Sequence, residues 1–250
     1  MTTEGSGASL GRDGVHNEDA YLVEEGLGLY VVCDGASGQP AGEIAARTAV
    51  ATLEAFVERE HLEGRSLFQA FSSLRVASRA VRCAMDAVLE ASREHDELRG
   101  MATTLSMLLV HGQTGAISHV GDSRVYLHRD GELHQLTLDH ELSSSHDVDG
   151  TSPIDDSAID TFAVDLRAQD TLLLCTDGAE DVIDNLAMLG DVTRTTPRVL
   201  ASRIVTAARR YNPGCDATVV VVRVRDDDEP AWLWLSHPPQ EFVYGHALVA

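Results

Sequence analysis

Thr103–Leu138 reads TTLSMLLVHGQTGAISHVGDSRVYLHRDGELHQLTL. It divides into four short strand-like pieces: TTLSMLLV, GAISHVG, SRVYLHRDG and ELHQLTL. Each is apolar or β-branched and too short for a helix of ordinary length. Asp130-Gly131, inside HRDGEL, is a strong hairpin signal, because both residues accept the positive φ of a tight turn. A run of consecutive antiparallel strands is therefore expected here.

Upstream the period changes. Gly42–Glu60 carries Ile44, Val50, Leu53 and Phe56 at helical spacing, and Ser66–Glu97 does the same with Leu67, Phe71, Leu74, Val81 and Met85. Before them, Ala20–Cys33 reads as a hairpin, AYLVEE and LGLYVVC split by Gly26 and Gly28. Downstream, LLLCTDG and ATVVVVRVR read as buried strands, with a helix over Pro197–Arg210 between them. Strands and helices fall in separate runs, so the class is α+β, with sheets and helices in layers. Glu141–Ile159 is polar, acidic and weakly patterned, and reads as a surface flap. The domain is expected over residues 1–225. Residues 226–250, with Trp232 and Trp234 alternating with leucines, read as an extension packed on it as one more strand, the alternative being an exposed docking segment.

The chain has 250 residues, 44% of them apolar, ample for one core. Forty acidic residues against 19 basic give a net charge of −21, which argues against nucleic acid and anionic membrane as partners. No apolar run approaches the roughly 20 residues that span a bilayer. The N-terminal MTTEGSGASLGRDG lacks a signal-peptide core. Cys33, Cys83, Cys175 and Cys215 are scattered, with no Cys-x-x-Cys pair, which favours a reducing, cytoplasmic setting. They read as small buried hydrophobes; by strand alternation only Cys175 is expected to share a face with its neighbouring aspartate, Asp177.

The chemistry sits at acidic punctuation points. His16-Asn17-Glu18-Asp19 precedes the first strand of the hairpin, Asp34-Gly35 ends VVC, Gly121-Asp122-Ser123-Arg124 separates two strands, Asp177-Gly178 ends LLLC, and Asp216 opens the last strand. A single Asp-Gly is most simply a turn. The ordered set is different: buried strands have fixed register, so several strand ends can converge at one edge of a sheet pair. Carboxylates without histidine or cysteine select hard cations such as magnesium, manganese or calcium. Like charges sharing a pocket also need cations to offset them. A glycine at position 35 allows close backbone approach, so its carbonyl can serve as a ligand.

NEDAYLV, VVCDG, GEIAA, ATTLSMLLV, GDSRVYL, LTLDHEL, LLLCTDG and DATVVVVRV, in this order from about Gly11 to Val224, resemble the type 2C (PPM) family of metal-dependent serine/threonine phosphatases in its bacterial single-domain form. The resemblance implies a four-layer α-β-β-α sandwich with two central antiparallel sheets. It also implies a binuclear manganese or magnesium centre whose activated water attacks phosphoserine or phosphothreonine directly. By that resemblance Asp34 bridges both metals and Gly35 offers its carbonyl to one. Asp177 and Asp216 complete the other, Glu18 and Asp19 act through waters or behind the ligands, and Asp122 with Asp177 holds a weaker third metal. Arg124 reads as a partner of its loop; Asp139 and His140 match a block without an assured role, His140 being a candidate proton donor. The expected partners are a phosphorylated protein and a serine/threonine kinase acting in the opposite sense, and the expected state is a monomer.

Departures from the family pattern concern substrate handling. The usual phosphate-gripping arginine is Gly14, the usual Met-Gly-Gly is Ala36-Ser37-Gly38, the histidine after it is Gln39, and Asp-Asn is Asp216-Ala217. Arg12, two residues before Gly14, is the candidate to meet the phosphate. An extended pair of residues covers roughly 6–7 Å, which an arginine side chain can span. Two other readings stand beside an active protein phosphatase: a catalytically weakened metal-binding module that docks a partner, and a phosphatase for small phosphorylated molecules.

Overall fold

The computed structural model describes residues 1–12, 16–36, 38–39, 41–62, 70–140, 155–185 and 192–226. Among the described residues ten strands form two five-stranded antiparallel sheets. One runs β1(Thr2–Leu10), β10(Ala217–Arg225), β9(Thr171–Cys175), β6(Arg124–Arg129), β7(Glu132–Gln135). The other runs β2(Asp19–Glu24), β3(Leu29–Asp34), β4(Leu105–His111), β5(Thr114–Val120), β8(Asp160–Asp165). Four helices complete the described residues: α1(Gly42–Leu62), α2(Ala70–Glu94), α3(Glu180–Asp184) and α4(Pro197–Tyr211).

Strand alternation builds the layers. In β3, Tyr30 and Val32 face the other sheet, while Leu29, Val31 and Cys33 pack under α1 and α2. In β10, Val220, Val222 and Val224 face inward, while Val219 and Val221 meet α4. These strands are covered on both faces, so they read as unbroken apolar runs. Such a Leu or Val gains about 1.5–3 kcal/mol on full burial. The result is the expected four-layer α-β-β-α sandwich, with a central seam of Tyr30, Leu108, Ile117, Leu172 and Leu174 among others.

The hairpin lies where expected, with Ala20 opposite Cys33. Asp130 and Gly131 take φ of 54° and 85°, the tight turn that their types favour. The second long helix is described over Ala70–Glu94 and gives way to a short 3-10 turn at Asp96–Leu98. Two strands go beyond the sequence reading: β1, in the polar N-terminal stretch, and β8, just after the acidic segment. Gly14, most of the flap at 141–160 and the Trp-containing extension after Asp226 lie outside the described residues. Cys33 and Cys175 are buried, and Cys83 and Cys215 are partly so, all four as free thiols. Cys175 faces α4. The strand ends there, so Asp177 does not inherit its face as alternation predicts; a 3-10 turn over Asp177–Ala179 re-aims it toward Asp34.

Candidate metal centre

The sheets bring the predicted carboxylates to one edge. Asp19 begins β2 directly opposite Asp34, which ends β3, so the two side chains share a face. Like charges in that relation repel. Asp34 takes the inward parity of Tyr30 and Val32, which points it at the gap between the sheets. Asp177 and Asp122 add further negative charge there. Burial is the largest influence on Asp34 and Asp19, and the neighbouring carboxylates add to it. Asp34 is pushed well above the ordinary range, and Asp19 from 3.8 to about 7. Asp122 is raised by burial and then by Asp177.

The Asp34 backbone is held on both sides. Its N–H donates to Thr104 Oγ1 at 3.1 Å, and its carbonyl accepts from Thr103 Oγ1 and from the Thr104 N–H, each at 2.8 Å. The Gly35 N–H donates to the Glu18 carbonyl at 3.1 Å, tying the two acidic motifs together. Gly35 is required for a reason the sequence did not give: a β-carbon there would lie 2.4 Å from the Gly42 carbonyl, where α1 begins.

Threonines absent from the sequence reading position the rest. Thr176 Oγ1 donates to Asp19 Oδ2 at 2.9 Å and accepts from the Thr218 N–H at 3.0 Å. Thr104 Oγ1 pairs with Ser123 Oγ at 2.6 Å, joining the Asp34 strand to the loop that carries Asp122. No local signal marks these threonines, because each acts across a sheet. Asp19 Oδ1 is buried and has no hydrogen-bond partner. A buried carboxylate oxygen left so costs free energy unless a cation meets it.

Asp216 and Glu18 meet Arg12. The Arg12 N–H donates to Asp216 Oδ1 at 2.6 Å, the Glu18 N–H to Asp216 Oδ2 at 2.9 Å, and Arg12 Nη1 lies 2.9 Å from Glu18 Oε2. Arg12 thus lies at the site on the same side as Glu18, but with its guanidinium on carboxylates. Among the described residues no three acidic, histidine or cysteine side chains already close on one coordination point. The donor set nevertheless fits hard divalent cations: all oxygen, with Asp19 and Asp216 buried, overcharged and with one oxygen lacking a partner.

Arg124 grips Asp139 with two prongs, at 2.8 and 2.6 Å, and reaches Glu180 at 3.1 Å, so it joins its loop to α3. Glu180, not singled out in the sequence, is pushed up to about 8, chiefly by burial. His140 Nδ1 accepts from the Gly121 N–H at 3.3 Å, and its Nε2 meets Asp160 Oδ2 at 3.1 Å. Both ring nitrogens are therefore engaged, one with the Gly121 loop and the other with the first residue of β8.

A pH dependence follows from these shifts. Asp19 binds its proton more tightly in the folded chain than in the unfolded one. Its contribution to stability is full below about pH 4 and is lost as pH rises through about 7. Asp34 and Glu180 act in the same sense. His119, lowered from 6.5 to about 4 by burial and by His140, acts oppositely, but only below its ordinary value. Between pH 6.5 and 8.5, in a chelator, the melting temperature is expected to fall; saturating manganese should flatten the slope. A metal-free melting temperature that rises over this interval would contradict the assignment.

The protein phosphatase 2C family model matches residues 6–209, and the chain belongs to that family. It is 31% identical over 231 residues to the serine/threonine protein phosphatase PstP of Mycobacterium tuberculosis, covering 85% of this chain and 43% of that one. The chain therefore spans less than half of PstP. To the serine/threonine phosphatase stp of Listeria monocytogenes it is 30% identical over 240 residues, covering 85% and 92%. Among solved structures, the catalytic domain of PstP in complex with two manganese ions aligns with a TM-score of 0.75 at 26% identity, over 90% of this chain and 99% of that one. The PPM Ser-Thr phosphatase MsPP of Mycobacterium smegmatis, in complex with cacodylate, aligns at 0.68 and 26% identity, over 88% and 98%. No described helix is long and apolar enough to cross a membrane.

Proposed function

We propose that this chain hydrolyses phosphoserine and phosphothreonine in proteins at a binuclear manganese or magnesium centre. The observation that carries the reading is the partly buried, overcharged cluster around Asp34, with Asp19 Oδ1 buried and lacking a partner. Asp34 would bridge the cations, the Gly35 carbonyl would serve one, and Asp177 and Asp216 the other. Glu18 and Asp19 would act through waters or behind the ligands, and Asp122 with Asp177 would hold a weaker third. Bound there, the cations supply a water acidic enough to attack phosphorus and a clamp for the phosphate oxygens. The chain's own part is positioning. Thr103 and Thr104 fix the Asp34 backbone, Thr176 orients Asp19, and Ser123 holds the Asp122 loop to Thr104.

Arg12 is the candidate for meeting the substrate phosphate, since its fork matches phosphate oxygens. Arg12→Ala at saturating manganese is expected to raise KM for phosphopeptides several-fold; an unchanged KM would remove it from that role. We further propose a serine/threonine kinase as the enzyme acting in the opposite sense, a cytoplasmic setting and a monomer.

A second reading, a weakened metal-binding module that docks a partner, is favoured by one feature: Gly14 stands where the family usually has its phosphate-gripping arginine. Assays with manganese on p-nitrophenyl phosphate and on phosphothreonine peptides separate the readings. Turnover of both supports the protein phosphatase, turnover of the small ester alone a small-molecule phosphatase, and turnover of neither the module.

A further inference from the structure

Two of the carboxylates assigned to metal already hold a cation that belongs to the chain. Arg12, two residues beyond the end of β1, sets Nη1 2.9 Å from Glu18 Oε2 and 3.4 Å from Asp216 Oδ2. Asp216 is also held by two main-chain donors, the Arg12 N–H at 2.6 Å on Oδ1 and the Glu18 N–H at 2.9 Å on Oδ2. A carboxylate offers about four lone-pair positions. The two amides fix its orientation, and the guanidinium takes a further position through the longest of the three contacts. Exposure differs in the same sense: the Asp216 side chain is 6% exposed and that of Arg12 36%. The guanidinium can therefore move away while the carboxylate stays aimed.

We propose that Arg12 is a displaceable internal cation that holds Glu18 and Asp216 together before metal arrives, yields its place when a divalent cation binds, and so weakens metal binding on that side of the centre. The inference rests on the metal centre proposed above. A guanidinium keeps its charge throughout the accessible pH range, so it offsets the carboxylates under all ordinary conditions. A metal ion that needs the same oxygens binds only the fraction of molecules in which the pair is open, and its apparent affinity falls by that fraction. The amide bonds to Asp216 do not involve the Arg12 side chain. Removing the guanidinium should therefore free the site without disorienting it.

The test is manganese binding by calorimetry in phosphate-free buffer. It compares the wild type with Arg12→Gln, Arg12→Lys and Arg198→Gln, the last an equal charge change at an exposed position on α4. Arg12→Gln is expected to bind its weaker-held manganese several-fold more tightly than the wild type or Arg198→Gln. In chelator it is expected to melt below the wild type, the gap narrowing once manganese saturates. Arg12→Lys, with a charge but no fork, should fall between. Equal or weaker binding by Arg12→Gln, or an equal gain in Arg198→Gln, overturns the proposal. Should Arg12→Gln fail to fold, the wild type decides. The Nε–H resonance of Arg12, identified by its loss in Arg12→Lys, must shift as magnesium is added, and an unmoved resonance overturns the proposal. Failure of both wild type and variant to bind manganese would sink the metal centre and this inference with it; equal binding sinks the inference alone.

Discussion

Exhaustive chelation followed by dialysis is expected to abolish phosphatase activity, and added manganese or magnesium to restore it. Asp19, Asp122 and Asp177 all raise or share the negative potential at Asp34, and Asp19 is itself buried, an arrangement unfavourable without cations. The main chain beneath them is fixed through Thr103 and Thr104, so removing metal should leave the scaffold folded. The loss should accordingly be reversible. Stability provides an independent readout. Metal at 100 times its Kd adds about 2.7 kcal/mol, and each kcal/mol moves the melting temperature by about 2–4 °C in a chain of this size. A rise of several degrees should accompany the return of activity. Full activity after chelation would remove the two-metal mechanism.

Asp34→Asn is expected to lower kcat by roughly 100-fold or more, the scale of losing a group that stabilises transition-state charge. On the proposed assignment Asp34 serves both cations, so the amide should weaken more than one contact and lose at least one tightly held metal. The substitution preserves shape and removes a charge that repels Asp19 and Asp177. At pH 8 in chelator the variant should therefore be at least as stable as the wild type. Low activity in a stable protein separates a site effect from unfolding. Calorimetry that returns an unchanged metal stoichiometry would refute the bridging role.

How much of this was legible in the sequence depended on whether the signal was local. β3, β9 and β10 are buried on both faces, so LYVVCD, TLLLC and ATVVVVRVR carry unbroken apolar runs that announce strands without a partner in view. The helices at Gly42 and Pro197 showed their period in the same way. Asp130-Gly131 stated its turn chemically. The aspartates were conspicuous because each stands at the end of such a run. With the family pattern, this was enough for the fold and the candidate ligands.

The rest belonged to the tertiary structure. β1 reads TTEGSGASL, which has no strand pattern. It is a strand because β10 supplies its hydrogen bonds, and because Gly5 and Gly7 leave room for the rings of Tyr30 and Tyr21. Its path then delivers Arg12 to Asp216, 204 residues away in sequence. Thr104, Thr176 and Ser123 acquired their roles only when strands distant in the chain became neighbours. The local pattern of a sequence reports which face of an element is buried; which charge meets which depends on strand order and register, and these are fixed only when the whole chain packs.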